Sequence, residues 1–234
     1  QAAELWGPQP PAADGAGDAA PGAEWLRLGV GVTVVDGAID LELARRCREE
    51  LAELDAAGEV RPSKDPCNVG ARSVWLHFES EEELRRVPAA LRQVCLQLAG
   101  LPAALHLRAD ESDPPIPGRP RLRVHPHVMA ATYRKGAEYH VHKDSYNGAD
   151  NQRMVTVLLY LNHEWQPGDG GELRAFKTAV GAGVGGTEAP DHGAFVDIAP
   201  LCGRLVMFPS RKTWHAVREP REQRWALTLW VMAE

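Results

Sequence analysis

Near the middle of the chain, three side chains of the right types stand in a spacing that suits a metal ion. His142 and Asp144 are two apart in His142-Lys143-Asp144, at the end of a strand-like run that begins near Tyr139. Alternate residues of a strand point to one face, so this imidazole and this carboxylate can grip a cation from the same side. A third ligand must come from elsewhere, and His215, just ahead of the last apolar run, is placed to supply it. Two imidazoles and one carboxylate on one face, with the opposite positions open, make a donor set for ferrous iron. Dioxygen and a chelating co-substrate would take the open positions.

Arg224 follows His215 across Glu219-Pro220-Arg221-Glu222, a turn-like sequence. If that turn closes an antiparallel hairpin, His215 and Arg224 sit opposite each other, about 5 Å apart at Cβ. A guanidinium there can hold a carboxylate bidentately. The strand that follows, Trp225-Ala226-Leu227-Thr228-Leu229-Trp230, is largely apolar on both faces and so is expected to be buried. A surface salt bridge is therefore the weaker reading of Arg224. Tyr160, in Met154–Asn162, has a hydroxyl to offer the same carboxylate. A core tyrosine with a satisfied hydroxyl is an equal alternative.

Three other signals carry less. Gly181-Ala182-Gly183-Val184-Gly185-Gly186 matches a dinucleotide fingerprint in form, but Thr187–Pro190 is a poor helix start, so no dinucleotide site is expected. His140 shares the parity of His142 and Asp144. It is read as a neighbour at the pocket mouth or facing a second sheet edge. His125-Pro126-His127 has a proline between its imidazoles and no acidic third ligand in sequence, which disfavours a metal site.

The elements that must position these residues can be read from period and punctuation. Residues 1–24 are rich in Ala, Gly and Pro and read as a flexible arm. Gly29–Val35 reads as a first strand, and Asp40 caps a helix to about Leu54 with Leu43, Ala44, Cys47, Leu51 and Leu54 at helical spacing. Residues 57–72 read as a long loop, either a lid over a bound ligand or a plain surface loop, and residues 73–78 as a short strand. Ser80 and Glu83 form a capping box for a helix from about Glu81 to Leu98, with Pro88 a candidate kink. Residues 109–120 read as another loop. From Arg121 the character changes to seven or eight short strands, with Lys177–Gly193 as a surface excursion. Eight strands in two sheets make a jelly roll, the double-stranded β-helix. The expectation is a mainly β fold with N-terminal helices packed on one sheet. Residues 25–234 would be one domain, in which 25–120 is a helical and loop support region and 121–234 the jelly-roll core.

Composition narrows the function classes. The chain has 234 residues, 25% charged and 44% hydrophobic, enough to bury a sizeable core. No run of about 18 apolar residues is present, so no transmembrane helix and no membrane partner are expected. A net charge of −6 with scattered Lys and Arg argues against nucleic-acid binding. The 4 cysteines are far apart and form no CxxC pair, which predicts reduced thiols in a cytoplasmic protein, or a nuclear one in a eukaryote. The first residues show no signal-peptide pattern, and a targeting segment ahead of Gln1, which would redirect the protein, would not show in this sequence.

The segments ATYRKGAEYHVHKDS, RMVTVLLYLNHEW, GGELRAF, DIAPLCGRLVMFPS and HAVREPREQRWALTLWV make residues 121–233 recognisable. They resemble the prolyl 4-hydroxylase group of 2-oxoglutarate/Fe(II) dioxygenases, most closely the prolyl hydroxylases that act on hypoxia-inducible factor. The resemblance implies Fe(II) on His142, Asp144 and His215. It implies 2-oxoglutarate with its distal carboxylate on Arg224 and Tyr160, and a pocket that includes Tyr133, Tyr139, Leu173, Val217, Thr228 and Trp230. The reaction implied is O2-dependent hydroxylation of a prolyl residue in a protein or peptide, giving hydroxyproline, succinate and CO2, with ascorbate supportive and the enzyme a monomer. A hydroxylase of a free amino acid or other small molecule is the alternative, and a silent binding module is a third. The related halogenases need a small non-ligating residue where Asp144 stands, so halogenation is disfavoured. Collagen-type enzymes usually carry Lys in place of Arg224, which puts this chain nearer the intracellular type. The N-terminal part follows the family loosely, with a helix, a mobile loop and Trp75 in the expected order.

Overall fold

The computed structural model describes residues 24–28, 30–102, 122–146, 152–180 and 188–233. The first elements are β1 (Glu24–Leu28) and β2 (Val32–Asp36), paired as a hairpin. Helix α1 (Leu41–Ala56) follows, and the Asp40 carboxylate accepts the Leu43 amide at 2.9 Å, as its cap position requires. Next come β3 (Arg61–Pro62), β4 (Asn68–Val69) and β5 (Arg72–His77). The region expected to be helix and loop thus contributes five strands. Three of them, β1, β3 and β4, escape periodicity analysis: two are two residues long, and the third begins within the apparent arm.

The expected single helix after Ser80 is two, α2 (Glu81–Arg86) and α3 (Ala89–Leu98), and the capping box at Ser80 and Glu83 is formed. Pro88 does more than kink the chain: it stands at the start of α3 with no side chain to cap it. The open amides of Ala90 and Leu91 instead donate to Glu50 of α1, at 2.8 and 2.9 Å. Residues 109–120 and the glycine run 181–186 lie outside the described residues.

The remaining strands are β6 (Leu122–Val124), β7 (His127–Tyr133), β8 (Glu138–His142), β9 (Arg153–Tyr160), β10 (Leu173–Val180), β11 (Glu188–Ile198), β12 (Leu205–Pro209), β13 (His215–Val217) and β14 (Arg224–Ala233). They form a jelly roll. One sheet runs β1-β2-β12-β9-β14-β7-β5-β3 with β6 also on β14, and the other β11-β10-β13-β8-β4. Lys177–Gly193 is not a surface excursion at its ends. Lys177 pairs with Asp191 and Val180 with Glu188, so the segment prolongs the β10–β11 hairpin beyond a bulge at Phe176/Lys177.

The larger sheet is covered on both faces. Trp225, Leu227, Leu229 and Val231 of β14, with Val157 and Leu159 of β9, pack against Leu43, Cys47, Leu51, Leu91 and Val94 of the helices. Burying each such side chain contributes about 1.5–3 kcal/mol. The alternate residues turn into the roll, where Leu158, Tyr160 and Ala226 meet Leu173, Ala175 and Ile198 of the smaller sheet. Strand period two therefore sends Arg224, Thr228 and Trp230 inward from β14 and Tyr133 inward from β7.

Candidate metal and co-substrate site

His142 ends β8 and His215 begins β13, and the two pair directly across the smaller sheet. The Nε2 atoms of His142 and His215 lie 3.4 and 3.6 Å from Asp144 Oδ1. Each imidazole is oriented from behind. His142 Nδ1 is 2.7 Å from the His140 carbonyl and His215 Nδ1 is 3.1 Å from the Thr213 carbonyl. Those contacts place the proton on Nδ1 and leave the Nε2 lone pair to face the carboxylate. His142 Nε2 is buried with no hydrogen-bond partner. Asp144 Oδ2 accepts Thr156 Oγ1 at 2.5 Å and Trp230 Nε1 at 3.1 Å, which turns Oδ1 toward the two rings.

Burial lowers the His215 pKa to about 4, so the ring is a neutral donor at neutral pH. Burial alone would raise the Asp144 pKa, but the two imidazoles and Thr156 outweigh it and hold the carboxyl well below its usual range. Among the described residues, this is the only group of three His, Cys, Asp or Glu side chains whose ligand atoms all lie within 4.8 Å of one another. An orphaned imidazole nitrogen, neutral rings and an ionised carboxylate fit a divalent transition metal.

Two sequence expectations about this cluster need correction. His215 and Arg224 do not flank a hairpin. β13 is paired on both edges, with β10 and β8, so it has no free edge to offer β14, which joins β7 and β9 in the other sheet. The chain between them crosses from sheet to sheet, held by a bridge of Pro220 to Gly170. His215 and Arg224 therefore enter the cavity from opposite sheets. Nor does His140 share the face of His142. The pairing slips from His215↔His142 to Val217↔Tyr139, an extra residue on β8. This bulge brings Tyr139 onto the face of His142, ring centroids 3.7 Å apart, and leaves His140 outward beside Glu138 at 3.1 Å.

A cavity of about 580 Å³ opens beside the triad, lined by His142, Asp144, His215, Tyr133, Tyr139, Leu173, Val217, Arg224, Thr228 and Trp230. Arg224 is 3% exposed, and its guanidinium carbon lies 5.0 Å from the ring centres of both Tyr133 and Tyr160. Its Nε has no hydrogen-bond partner, and no carboxylate pairs with it among the described residues. Tyr160 is fully buried beside Arg224 with an unpartnered hydroxyl, and it does not border the cavity. A buried guanidinium that faces the cavity with no carboxylate partner fits a small carboxylate ligand.

Sequence reasoning missed Thr156, Asn68, Asp65, Met129 and Arg153. Thr156 shares the parity of Tyr160 on β9 and Met129 that of Tyr133 on β7, so both could have been found by parity; Arg153 opens β9, and Asp65 and Asn68 come from the short-stranded segment ahead of β5. The Arg153 guanidinium lies 3.8 Å from the Trp230 ring, and Trp75, partly exposed, stacks on Trp230 at 5.8 Å. His127 does find an acidic neighbour, Glu79 at 3.3 Å, but His125 Nδ1 is taken by the His127 amide at 3.1 Å.

A model of the 2OG-Fe(II) oxygenase superfamily matches residues 128–232, the stretch that carries the triad and Arg224. The match takes in most of the jelly roll and is therefore a likeness of that part of the chain. The chain resembles a Pseudomonas putida prolyl-4-hydroxylase at 27% identity, with a TM-score of 0.63 over 87% of this chain and 93% of that one. It shares its fold with a prolyl hydroxylase from Trichoplax adhaerens, solved with a peptide fragment of the hypoxia-inducible factor oxygen degradation domain. There the identity is 21% and the TM-score 0.62, over 88% of this chain and 84% of that one. The fold also recurs in SnoK, a non-heme carbocyclase of nogalamycin biosynthesis, with 16% identity and a TM-score of 0.59 over 87% and 79%. The family match and the His142, Asp144 and His215 cluster together support oxygenase chemistry with Fe(II) and 2-oxoglutarate.

Proposed function

We propose that this protein hydroxylates a prolyl residue within a peptide or protein. The observation that carries its co-substrate half is Arg224, a buried and unpaired guanidinium in the same cavity as the triad. In this reading His142, Asp144 and His215 would hold Fe(II) through Nε2, Oδ1 and Nε2, and Arg224, packed against Tyr160, binds the distal carboxylate of 2-oxoglutarate. Iron bound there supplies the activation of O2 that decarboxylates 2-oxoglutarate to succinate and places one oxygen atom on a substrate C–H bond. The protein's own part is positioning. The imidazoles are oriented from behind, Asp144 is kept ionised, and Tyr133, Leu173 and Val217 exclude water around the co-substrate.

The prolyl half draws support from the 27% likeness to the Pseudomonas putida prolyl-4-hydroxylase along most of both chains. The rim residues Arg61, Lys64, Trp75 and Arg153 also offer an open-sided contact to an extended chain. A small-molecule substrate is the second reading, favoured by the fold shared with SnoK. We further propose a cytoplasmic monomer, with ascorbate sustaining turnover. Incubation with Fe(II), 2-oxoglutarate, ascorbate and a library of proline-containing peptides tests the main reading. Mass spectrometry should find one added oxygen on a proline, matched by succinate. Succinate released by a free amino acid or other small molecule, with no modified peptide, would favour the second reading.

A further inference from the structure

We propose that Asp65 is a positioning residue for the iron site, acting through Tyr139 on His142. This rests on the reading of His142, Asp144 and His215 as metal ligands. The Tyr139 hydroxyl donates to Asp65 Oδ2 at 2.6 Å, and the Tyr139 ring lies nearly parallel to the His142 imidazole, 21° between planes. A second ring, that of His215, lies 4.2 Å from the same imidazole. The His142 ring is thus held by a carbonyl at Nδ1, by His215 and by Tyr139. A hydrogen bond to a charged acceptor is roughly twice as strong as a neutral one, so Asp65 is well suited to keep the phenol from swinging away.

Asp65 is itself set in a firm turn. Its Oδ1 accepts the Cys67 amide at 2.9 Å, its carbonyl accepts the Asn68 amide at 3.0 Å, and Ser63 Oγ accepts its own amide at 3.2 Å. The turn is bolted to the metal-ligand strand, because Asn68 pairs with Tyr139, Val69 with Glu138, and the His140 amide donates to the Cys67 carbonyl at 2.9 Å. Lys64 and Asp65 line the rim of the cavity, while His142 lies inside it. The turn therefore connects the place where substrate would arrive to the orientation of a metal ligand. The bulge in β8 makes the connection possible, since without it Tyr139 would face away from His142.

Co(II) is a suitable probe, because its visible spectrum reports ligand geometry without turnover. Wild type, Asp65→Ala, Asp65→Asn and Tyr139→Phe would be titrated, together with the double variant of Asp65→Ala and Tyr139→Phe. Asp65→Ala should weaken Co(II) binding about 3- to 10-fold, the worth of one ring contact, and shift the ligand-field bands. Asp65→Asn should fall between Asp65→Ala and wild type. Tyr139→Phe, which keeps the ring and lacks the hydroxyl, should match Asp65→Ala, and the double variant should be no worse than either single. Tyr139→Phe also keeps the test open if Asp65→Ala fails to fold. Unchanged Co(II) affinity and spectrum in Asp65→Ala or Tyr139→Phe, or additive losses in the double variant, would overturn the proposal. Wild type that binds no Co(II) would sink the metal reading itself, and this inference with it.

Discussion

Arg224 and Asp144 carry opposite electrostatic tasks, and each predicts a distinct failure. Asp144 is the only anionic donor of the triad, and Thr156 and Trp230 hold its second oxygen. Asp144→Ala should abolish Mn(II) or Fe(II) binding in calorimetry while the far-ultraviolet spectrum stays native; retained binding would remove Asp144 from the site. Arg224 carries a guanidinium, which has no lone pair to offer a metal, so its loss should appear in co-substrate affinity alone. Lys keeps the charge without the fork, so Arg224→Lys should raise the KM for 2-oxoglutarate modestly. Arg224→Ala should raise it severely, because leaving a buried carboxylate unpaired costs roughly 2–5 kcal/mol. A normal KM in Arg224→Ala would mean that another group holds that carboxylate. His142, Asp144, His215 and Arg224 were all legible in the sequence, since donor chemistry and the apolar character of β14 are local properties. Asp65 was not, because nothing in its own neighbourhood says that it meets Tyr139 across the cavity rim.

The elements depend on two glycines as much as on strands. Where the chain crosses between sheets, Gly170 has φ of 72°, and a Cβ there would lie 2.3 Å from the Glu219 carbonyl oxygen. Gly171 has φ of 73°, and a Cβ would lie 3.0 Å from Arg224 Cδ. Only glycine takes up this backbone without strain, and only glycine clears the Arg224 stem. Gly171→Ala should therefore raise the KM for 2-oxoglutarate several-fold while Co(II) binding holds; an unchanged KM would show that Arg224 tolerates the push. The segment 57–72 makes a second case. The sequence reads it as a loop, and within it β3 and β4 pair with β5 and β8 over only two residues each. Away from the Asp65 turn, little of this backbone is paired, so a bound proline peptide should slow hydrogen exchange across 61–69. Exchange that stays the same at saturating peptide would leave the segment without a part in recognition. Helix ends were legible from Asp40, Ser80 and Glu83, whose capping is local. The split at Pro88 was only half legible, because the carboxylate that makes it tolerable comes from Glu50 on another helix.

At the scale of the molecule, the triad and Arg224 sit between sheets that must both be folded for either to exist. A ligand bound only by the folded state stabilises it by mass action, by about 2.7 kcal/mol at 100 times its dissociation constant. Mn(II) with 2-oxoglutarate, under nitrogen, should therefore raise the Tm well beyond Mn(II) alone in wild type. In Arg224→Ala the added effect of 2-oxoglutarate should vanish while that of Mn(II) remains; an equal rise in both proteins would separate 2-oxoglutarate binding from Arg224. The sequence by itself determined the fold class, through recurring short strands after residue 121, and the chemistry, through two imidazoles, a carboxylate and a guanidinium. Period two along β14 also puts Arg224, Thr228 and Trp230 on one face, a property of that segment alone. The tertiary structure alone decided which sheet each strand joins. β13 looks locally like half of a hairpin with β14, yet both its edges are filled by β10 and β8. It alone decided the parity at Tyr139 as well, because a bulge is a mismatch between two strands and belongs to neither sequence. Patterns within one segment report which face is apolar, whereas partner and register depend on segments far away in the chain.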